Sequence, residues 1–468
     1  MTGGNQYDFI VIGGGPAGQG AAEFAAFAGL RTLVIERNVL GGVVVTTGGA
    51  PTKTLRDAAL YLAGFRDREL YGLTTPVDAG FVIERMRART GHVCSAMQET
   101  ISSGFAQLGI EVAYGSAQLG PDRTVHVKPR DGPTKERVYF ANRILLATGS
   151  RPFRPPNFPF DDPDIFDSEG LPSLHRVPKN ALIVGGGAIG CEFASIFAAV
   201  GIPVTLVHAK KQLLSKMDTE LSLHATRVFE STGICILLDT HVSAAKRLNG
   251  KLHVALGNGD VLYPDIVLFA TGREVNTDDL GLEKAGVKLN ARGWVIVDKQ
   301  FRTNVEGIYA AGDLIGPSLS SVSMEQGRVA ACHALGLGFK QRMDPLPVSA
   351  VYSIPEVAGV GLTEDEAKQQ KVGYEVGRCS FSTLPRGIIS GHPEGLLKLV
   401  FQKDDRRLLG VHIFGDIASE LIGLGQTTIY GDGTIDRFNQ LTFATPTYTM
   451  AYKFAALDGF KRLAGGNR

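Results

Sequence analysis

The feature that most constrains the fold of this chain is an internal repeat. The stretch YDFIVIGGGPAGQGAAEFAAFAGLRTLVIER runs from Tyr7 to Arg37, and NALIVGGGAIGCEFASIFAAVGIPVTLVHAK runs from Asn180 to Lys210. Each copy contains an apolar run, a glycine-rich turn, an alanine-rich amphipathic stretch and a second apolar run. This pattern predicts a buried strand, a turn, a helix and a parallel strand. Two such units predict an α/β fold with two parallel sheets.

Both copies carry the spacing GxGxxG, at Gly13, Gly15 and Gly18 and again at Gly185, Gly187 and Gly190. In this motif the first glycine permits a tight turn, the second lets the backbone approach a pyrophosphate, and the third lets the helix pack on the strand. The phosphates then meet the positive end of the helix. Two motifs therefore predict two dinucleotide cofactors, one a bound flavin and the other a nicotinamide that exchanges, which is an arrangement for relaying hydride.

The two copies differ at the end of their second strand. Glu36, which lies 18 positions past the last glycine of its motif, can accept hydrogen bonds from ribose hydroxyls. The equivalent residue of the second copy is His208, and Lys210 and Lys211 follow it. Cations at this position would hold a 2′-phosphate and so favour NADP(H). The alternatives are that the lysines are solvated surface residues and that NAD(H) also binds.

Further strand-like runs end in glycine turns, in RILLATGS, DIVLFATGR and GIYAAGD. Between the two repeat units, the proline-rich SRPFRPPNFPF (Ser150 to Phe160) predicts a linker. After Pro345, LKLVFQKDDRRLLGVHIFG predicts an antiparallel hairpin that turns at Lys403 to Arg407, and helical patterns follow it. The C-terminal part is therefore expected to be a separate α+β domain.

Composition narrows the possible functions. A formal net charge of +1 gives no electrostatic basis for binding nucleic acid or an anionic membrane. No apolar run approaches the ~20 residues of a membrane span, and the N-terminus does not read as a signal peptide. A cytoplasmic protein is expected. The five cysteines are widely spaced and form no CxxC metal or redox motif, so neither a metal site nor a disulfide framework is predicted.

The loop GGVVVTTGGAPTK, residues 41–53, follows the first nucleotide-binding unit. It contains no cysteine, and its only charged residue is Lys53. Together with GGGPAG before it and ATG, GGGAIG, ATGR and AAGD after it, the loop resembles the pyridine nucleotide–disulfide oxidoreductase family. The similarity covers essentially the whole chain. Within that family, segments such as LGGVVVTTGG, GCEFASIF, GDLIGPSLSS and YSIPEV are similar to the soluble pyridine nucleotide transhydrogenases.

The resemblance implies an α/β fold with two Rossmann-like FAD- and NAD(P)-binding domains plus a C-terminal α+β dimerisation domain. Residues 1–152 and 276–344 would form the two parts of the FAD-binding domain. Residues 153–275 would form the NAD(P)-binding domain, and residues 345–468 the dimerisation domain of a homodimer. The implied cofactors are FAD and NADP(H), with NAD(H) as a further candidate.

The resemblance also implies roles for individual residues. Lys53 corresponds to the family lysine beside the isoalloxazine and Glu192 to its carboxylate partner, and both are candidate catalytic residues. The alternatives are that Lys53 is a surface cation and that Glu192 is an acid favoured by the first turn of a helix. The other cofactor-binding residues that the resemblance implies are Gly42, Gly115 (a backbone contact to FAD), Thr148, Gly149, Gly272 and Asp313 (a ribityl contact).

At two places the sequence departs from the family pattern. Val44 and Gly49 stand where the disulfide-reducing members carry their two redox cysteines. Thr445 and Met450 stand where those members carry a His–Glu acid/base pair, and no histidine follows His412. Thiol–disulfide exchange needs a thiolate and a proton shuttle, whereas hydride transfer between nicotinamide and flavin needs alignment and a tuned flavin.

Three functions remain open at this point. The leading hypothesis is an FAD-dependent oxidoreductase that passes hydride from NADPH through flavin to NAD⁺ without a disulfide step. The second is an NAD(P)H-dependent reductase of a quinone or another small electron-poor acceptor. The third is a flavin-binding scaffold component without catalytic activity. The retained glycines and acidic residues disfavour the third hypothesis, since decay is expected to remove them.

Overall fold

The structure is a computed structural model and describes residues 5–63, 71–72, 79–131, 135–170, 174 and 176–465. By packing, the chain divides into two compact units. The first unit comprises residues 1–52, 88–153 and 272–344, and the second comprises residues 53–87, 154–271 and 345–468. The four-part division given above stays a prediction.

The strands of the described residues, in chain order, are β1 (Gln6–Ile12), β2 (Thr32–Glu36), β3 (Glu111–Leu119), β4 (Thr124–Pro129), β5 (Arg137–Leu146), β6 (Ser150–Pro152), β7 (Ile165–Asp167), β8 (Ala181–Val184), β9 (Val204–Val207), β10 (Cys235–Leu237), β11 (Val242–Leu248), β12 (Lys251–Leu256), β13 (Val261–Leu262), β14 (Ile266–Phe269), β15 (Arg273–Val275), β16 (Ile308–Ala310), β17 (Ser349–Val351), β18 (Glu356–Gly361), β19 (Tyr374–Ser380), β20 (Leu396–Gln402) and β21 (Leu408–Gly415).

The α-helices of the same residues are α1 (Pro16–Phe27), α2 (Val43–Thr46), α3 (Ala50–Ala63), α4 (Ala79–Gln107), α5 (Ala188–Ala199), α6 (Thr219–Ser231), α7 (Ser320–Leu335), α8 (Glu364–Gln369), α9 (Pro385–Ser390), α10 (Ala418–Tyr430), α11 (Asp436–Gln440) and α12 (Met450–Leu463). Short 3₁₀ turns occur at Pro121–Arg123, Gly312–Ile315 and Phe381–Thr383. Within the described ranges, no helix is both long and apolar enough to cross a membrane.

A parallel sheet forms the centre of the first unit. Its strands follow the order β3–β2–β1–β5–β16, and these pairings are all parallel. Strand β4 is antiparallel to both β3 and β5. Helix α1 crosses closely over α7, because a Cβ added at Gly327 would lie 1.9 Å from the Ala17 carbonyl oxygen. The predicted strand–turn–helix–strand of the first repeat copy is confirmed as β1, α1 and β2.

A second parallel sheet lies in the second unit, with the strand order β10–β9–β8–β14–β7. Strands β8 and β14 are buried at every residue, which is typical of parallel strands covered on both faces. The second repeat copy is confirmed as β8, α5 and β9, so both sheets contain the same arrangement around their glycine motifs. The three-stranded antiparallel sheet β11–β12–β13 is inserted between β10 and β14.

The C-terminal part contains a five-stranded antiparallel sheet in the order β17–β18–β21–β20–β19. The predicted hairpin is confirmed, since β20 and β21 are joined by a turn at residues 403–407. Helices α10, α11 and α12 follow, and buried residues of α10 and α12 pack with those of the sheet in one apolar cluster. Together with the two parallel sheets, this confirms the predicted α/β class with an α+β C-terminal part.

The proline-rich stretch that was predicted to be a linker is more ordered than expected. Its first residues form β6, which pairs with β15 in the first unit. Further along, the rings of Phe158 and Phe160 pack on Phe269 in the second unit, at centroid distances of 4.6 and 5.3 Å. The phenylalanines among the prolines explain the difference, because their apolar surface is buried against a strand.

Candidate active site

The first glycine motif forms a tight turn that leads into a helix N-terminus without a side-chain cap. Gly13 has φ +107°, and a Cβ there would lie 2.3 Å from the Ala147 carbonyl oxygen. A Cβ at Gly18 would lie 1.9 Å from the Gly13 carbonyl oxygen. Helix α1 begins at Pro16 after Gly15, and no side chain caps it. Its first N–H groups can therefore bind phosphate oxygens.

Gly42 lies directly against this helix end. A Cβ on Gly42 would be 3.1 Å from the Gly15 Cα, and the Gly41 N–H donates to the Gly14 carbonyl at 2.8 Å. Two backbones without side chains thus face each other at the N-terminus of α1. The structure brings together Gly42 and the GxGxxG motif, as the sequence-based prediction requires.

The loop that follows Gly42 folds so that Val44 and Gly49, the two positions singled out by the family resemblance, lie in contact. Residues 43–46 form the single turn α2, and α3 begins at Ala50. A Cβ on Gly49 would lie 2.8 Å from both the Cα and the Cγ1 of Val44. The Val44 side chain therefore occupies the space that a second side chain would need.

This loop contains one buried side-chain hydroxyl whose hydrogen bonding is incomplete among the described residues. The buried hydroxyl oxygen of Thr47 has no hydrogen-bond partner in the part of the chain that the structure describes. Because a buried hydroxyl normally has a partner, a group with a hydrogen-bond donor or acceptor is expected to lie against Thr47.

Glu36 lies beside the glycine turn of the first unit. Its Oε2 accepts the Gly14 N–H at 2.8 Å, and its Oε1 accepts the Asn38 N–H at 2.7 Å. The side chain is half-buried at the end of β2. The carboxylate therefore fixes the motif's backbone, and its remaining lone pairs can accept from a ribose.

Asp313 lies in the 3₁₀ turn after β16 and is held by several donors. The Ser150 hydroxyl donates to its Oδ2 at 2.5 Å, and the Ser318 N–H donates to its Oδ1 at 3.0 Å. Arg273 donates to Ser150 Oγ at 2.8 Å and lies 3.8 Å from the same carboxylate. Ser150 and Arg273 were not predicted, although both flank the ATG turns.

The other predicted residues of the first unit fall into two groups. Gly149 and Gly272 have positive φ and open space where a Cβ would lie, as a binding surface requires. Thr148 and Gly115 instead make contacts within the fold that account for these residue types. The Thr148 hydroxyl donates to the Asn276 carbonyl at 2.8 Å, and a Cβ on Gly115 would lie 2.4 Å from the Lys128 carbonyl oxygen in β4.

The second glycine motif repeats the first in the second unit. Gly185 has φ +117°, and a Cβ there would lie 2.4 Å from the Ala270 carbonyl oxygen. A Cβ on Gly190 would lie 1.8 Å from the Gly185 carbonyl oxygen. Gly187 precedes α5 without a side-chain cap and faces open space. The structure thus provides a second bare helix end for a dinucleotide.

His208 stands in the position of Glu36 and makes the same contact to the glycine turn. Its Nδ1 accepts the Gly186 N–H at 3.1 Å, as Glu36 accepts that of Gly14. Partial burial, and then the charge of Lys210, lower the pKa of His208 below its ordinary value of 6.5. The lowered pKa disfavours a positive charge on the His208 ring near neutral pH, and the role of His208 at a 2′-phosphate stays a prediction. Lys210 is exposed and donates to Ser215 Oγ at 3.2 Å.

Lys53 and Glu192 form a close ion pair within the second unit. The Lys53 Nζ lies 3.0 Å from Oε1 and 2.9 Å from Oε2 of Glu192. Lys53 is in the first turn of α3, and Glu192 is in α5, two residues past Gly190. Glu192 is 6% exposed. The structure thus brings these two residues together, and Glu192 lies beyond the first turn of its helix, which counts against the alternative of an acid favoured by that turn.

Tyr352, Arg56 and Glu356 extend this pair and were missed by sequence reasoning. The Tyr352 N–H donates to Glu192 Oε1 at 2.9 Å, and the Tyr352 ring lies under Lys53 Nζ at 4.8 Å from its centroid. One turn after Lys53, the guanidinium of Arg56 lies 3.1 Å from Glu356. The only sequence signal was the segment YSIPEV, whose polar residues had no assigned role.

Comparison with known proteins places this geometry in a family. The pyridine nucleotide-disulphide oxidoreductase family matches residues 7–331, and its dimerisation domain matches residues 348–456. The chain belongs to this family. FAD and a pyridine nucleotide are therefore its cofactors, and it is an oxidoreductase.

Relatives named soluble pyridine nucleotide transhydrogenase align over nearly the whole chain. The one from Mycobacterium tuberculosis is 37% identical over 465 residues, which is 99% of each chain. The one from Pseudomonas entomophila is 36% identical over 463 residues, 98% of this chain and 99% of the relative.

Solved structures agree with the fold. LpdA from Mycobacterium tuberculosis superimposes with a TM-score of 0.88 at 27% identity, over 96% of this chain and 99% of that one. The HOCl-induced flavoprotein disulfide reductase RclA from Escherichia coli gives a TM-score of 0.86 at 26% identity, with coverage of 96% and 99%.

The residues present fit these cofactors. Each unit offers an uncapped helix N-terminus in a motif whose first and last glycines leave no room for a Cβ. Glu36 stands beside the first motif, where a ribose can be bound, and the buried Thr47 hydroxyl in the loop after Gly42 has no partner among the residues described here. The first unit therefore suits FAD, and the second suits a nicotinamide nucleotide.

Proposed function

We propose that this protein passes a hydride from NADPH through FAD to NAD⁺ and that no disulfide takes part. The flavin, when bound, accepts hydride from one nicotinamide and returns it to another. The observation that carries the proposal is the contact between Val44 and Gly49, at the two positions where sulfur would be needed. The protein's own residues then have to bind and orient the cofactors and to adjust the electrostatics of the flavin.

Lys53 and Glu192 are the residues proposed to perform that adjustment. A cation held at the ring stabilises the negative charge that develops on reduction, and a buried carboxylate fixes the position of the cation. The bidentate contact of 2.9 and 3.0 Å supports this role, since it holds the ammonium group in one place. The Tyr352 N–H, bound to the same carboxylate, restricts it further.

The preference for NADPH is proposed to depend on Lys210 and Lys211. Both are exposed, and a neutral His208 in place of a carboxylate removes the repulsion that a 2′-phosphate would meet. His208 acts as a positioning residue, because its ring nitrogen holds the Gly186 N–H. Residues 348–456 support a homodimer, since they match the family's dimerisation domain.

An anaerobic experiment tests the proposal. The purified holoprotein is mixed with NADPH, and the flavin absorbance is followed, after which thio-NAD⁺ is added. We expect rapid bleaching and then rapid recovery of the flavin colour together with formation of thio-NADH. Bleaching that thio-NAD⁺ does not reverse would refute transhydrogenation. If NADPH does not bleach the flavin, the proposal that NADPH is the hydride donor is refuted.

A further inference from the structure

The segment between β9 and α6 carries three exposed lysines beside the second glycine motif. It comprises residues 209–217, which we call the lysine loop, and its lysines are Lys210, Lys211 and Lys216. These residues form turns and bends. The positions of their side chains therefore depend on contacts with neighbouring elements and not on a regular hydrogen-bonding pattern.

The middle of the lysine loop packs on the glycine motif. The Leu214 N–H donates to the Gly186 carbonyl at 2.8 Å, and a Cβ on Gly186 would lie 2.4 Å from Leu213 Cδ2. Leu213 and Leu214 are both buried. Leu214 has φ +46°, in a backbone region that leucine rarely adopts. Such a conformation persists only where the surrounding contacts hold it.

This turn also sets the position of the Lys210 ammonium group. The Lys210 Nζ donates to the hydroxyl of Ser215, the residue next to Leu214, at 3.2 Å. The Lys210 carbonyl accepts the Asp239 N–H at 3.1 Å, just after β10. The backbone of Lys210 is thus held from β10, whereas its charged group is held by the turn.

Asp218 follows the lysine loop directly and ties it to helix α6. It is the N-cap of this helix, since its Oδ1 accepts the Glu220 N–H at 3.1 Å. From the same end of α6, the Ser222 hydroxyl donates to the Leu213 carbonyl. The position of Asp218 therefore determines where the start of α6 meets the loop.

Lys398 of β20 holds Asp218 from the C-terminal sheet. Its Nζ lies 3.0 and 3.1 Å from the two carboxylate oxygens of Asp218. The same ammonium group lies 3.0 Å from Glu220 and 2.6 Å from Glu364. The side chains of Lys398 and Asp218 are each 1% exposed. Three carboxylates thus surround a group that has three N–H donors.

Stability alone does not account for this buried cluster of charges. The attraction between buried charges is largely offset by the cost of removing them from water, and apolar side chains of similar size are often no less stable. The cluster does impose geometry, because one ammonium group within 3.1 Å of three carboxylates restricts where each of them lies.

We propose that Lys398 is a positioning residue for the choice between NADPH and NADH. By fixing Asp218, it holds the turn at Leu213 and Leu214 and keeps the Lys210 ammonium group where a 2′-phosphate can bind. The inference rests on the proposed function, in which Lys210 binds this phosphate. It gives a residue of the region that matches the dimerisation domain a role in nucleotide recognition.

Equilibrium binding to the FAD-bound protein tests this inference. The probes are 2′,5′-ADP and 5′-AMP, which differ only in the 2′-phosphate. In Lys398→Met we expect 2′,5′-ADP to bind about tenfold more weakly, because binding must then order lysine side chains that the wild type already holds in place. The affinity for 5′-AMP should stay the same.

Arg378→Met is the matched control. Arg378 donates to both carboxylate oxygens of Glu220, at 2.7 and 2.8 Å. Its replacement removes a cation from the same cluster and leaves the contact between Lys398 and Asp218 in place. This variant should bind both probes as the wild type does, even if it is less stable.

Hydrogen exchange provides a readout that needs no nucleotide. In Lys398→Met, the amides of peptides that cover residues 209–217 should exchange faster than in the wild type, and in Arg378→Met at the wild-type rate. If Lys398→Met alone does not fold, its combination with Asp218→Asn removes both charges and retains an N-cap acceptor. This double variant should give the same results as the single one.

The outcomes separate this inference from the proposed function. Unchanged exchange, or an equal loss of affinity for both probes, would overturn the role of Lys398. Lys210→Ala reports on the phosphate site itself. If Lys210→Ala binds 2′,5′-ADP as tightly as the wild type, the proposed phosphate site fails and the inference fails with it. A loss in Lys210→Ala with none in Lys398→Met would overturn only the role of Lys398.

Discussion

The two glycine-motif units share the same strand–turn–helix–strand arrangement, and they differ in the side chain that accepts a hydrogen bond from the turn. In each unit, the last glycine of the motif is in contact with the first. The N–H of the middle residue of the GGG triplet donates to a side chain at the end of the second strand. That acceptor is Glu36 in the first unit and His208 in the second. The same local contact is therefore made by a carboxylate oxygen in one unit and by an imidazole nitrogen in the other.

The difference between Glu36 and His208 shows that the residue at this position has two separate roles. Holding the glycine turn requires only an acceptor, and either side chain provides it. Choosing the nucleotide depends on charge, because a carboxylate binds ribose hydroxyls and repels a 2′-phosphate. We propose that His208, with its lowered pKa, keeps the first task and gives up the second, and that Lys210 and Lys211 hold the phosphate. The four predictions below test this separation.

The largest effects are expected from filling the glycine turns. Gly18→Ala and Gly190→Ala each place a Cβ within 2 Å of a carbonyl oxygen, at 1.9 and 1.8 Å. Such overpacking costs about 1–3 kcal/mol or more. Gly18→Ala protein should be isolated without flavin, and Gly190→Ala protein should keep its yellow colour but lose bleaching by NADPH. Absorbance spectra before and after anaerobic NADPH addition measure both. Gly104→Ala, at a helix position with open space, is the control.

The next largest effect concerns nucleotide choice. His208→Glu combined with Lys210→Ala should shift the ratio of kcat/KM for NADPH and NADH by ~10–100-fold towards NADH, since a charge-assisted hydrogen bond contributes about 1.5–3 kcal/mol. Steady-state kinetics with both nucleotides measure the ratio. Lys251→Ala, at an exposed lysine of the same unit, should leave it unchanged. An unaltered ratio in the double variant would contradict the role given to Lys210.

A smaller effect is expected at Glu36. Glu36→Ala removes the acceptor of the Gly14 and Asn38 N–H groups and should weaken FAD binding about tenfold, as the loss of one charge-assisted hydrogen bond would. Glu36→Gln retains one acceptor oxygen and should bind FAD more tightly than Glu36→Ala. Equilibrium titration of the flavin-free protein with FAD gives both dissociation constants. Equal affinity of the two variants would show that the turn contact does not matter.

The smallest effect is a pH dependence of stability. Because the pKa of His208 lies below 6.5 in the folded protein, the unfolded chain binds more protons between the folded value and 6.5. The contribution of His208 is thus fully present above about pH 7 and is lost as the pH falls through that window. Relative to His208→Asn, the wild type should lose free energy of unfolding from pH 7 to pH 5. Guanidinium titrations of the FAD-bound protein measure the difference, and parallel pH profiles would contradict it.

The repeat and its glycine contacts could be predicted from the sequence because they are local. Apolar runs determine the strands, and the spacing of three glycines determines the turn. The state of His208 could not be predicted, since it depends on a hydrogen bond to Gly186 and on burial after folding. The position alone indicated a cation, whereas the burial of the ring lowers its pKa.

The contacts around the Lys53–Glu192 pair likewise could not be predicted from the sequence. Resemblance to the family predicted the pair itself. Arg56, however, donates to the Ser353 carbonyl from 297 positions away, and the family resemblance of the segments around them did not indicate this contact. Glu356 in YSIPEV and Ser419 in α10 become hydrogen-bond partners only when a distant strand and helix pack together. No periodicity or spacing in the sequence identifies such partners in advance.

The central claim, hydride transfer without a disulfide, is tested most directly by counting electrons. The holoprotein is titrated anaerobically with dithionite, and flavin absorbance and free thiols are measured at each addition. The account predicts that one two-electron equivalent per flavin completes the reduction and that the number of reactive thiols stays constant, as expected when Val44 and Gly49 replace sulfur. Uptake of a second equivalent accompanied by newly formed thiols would contradict it.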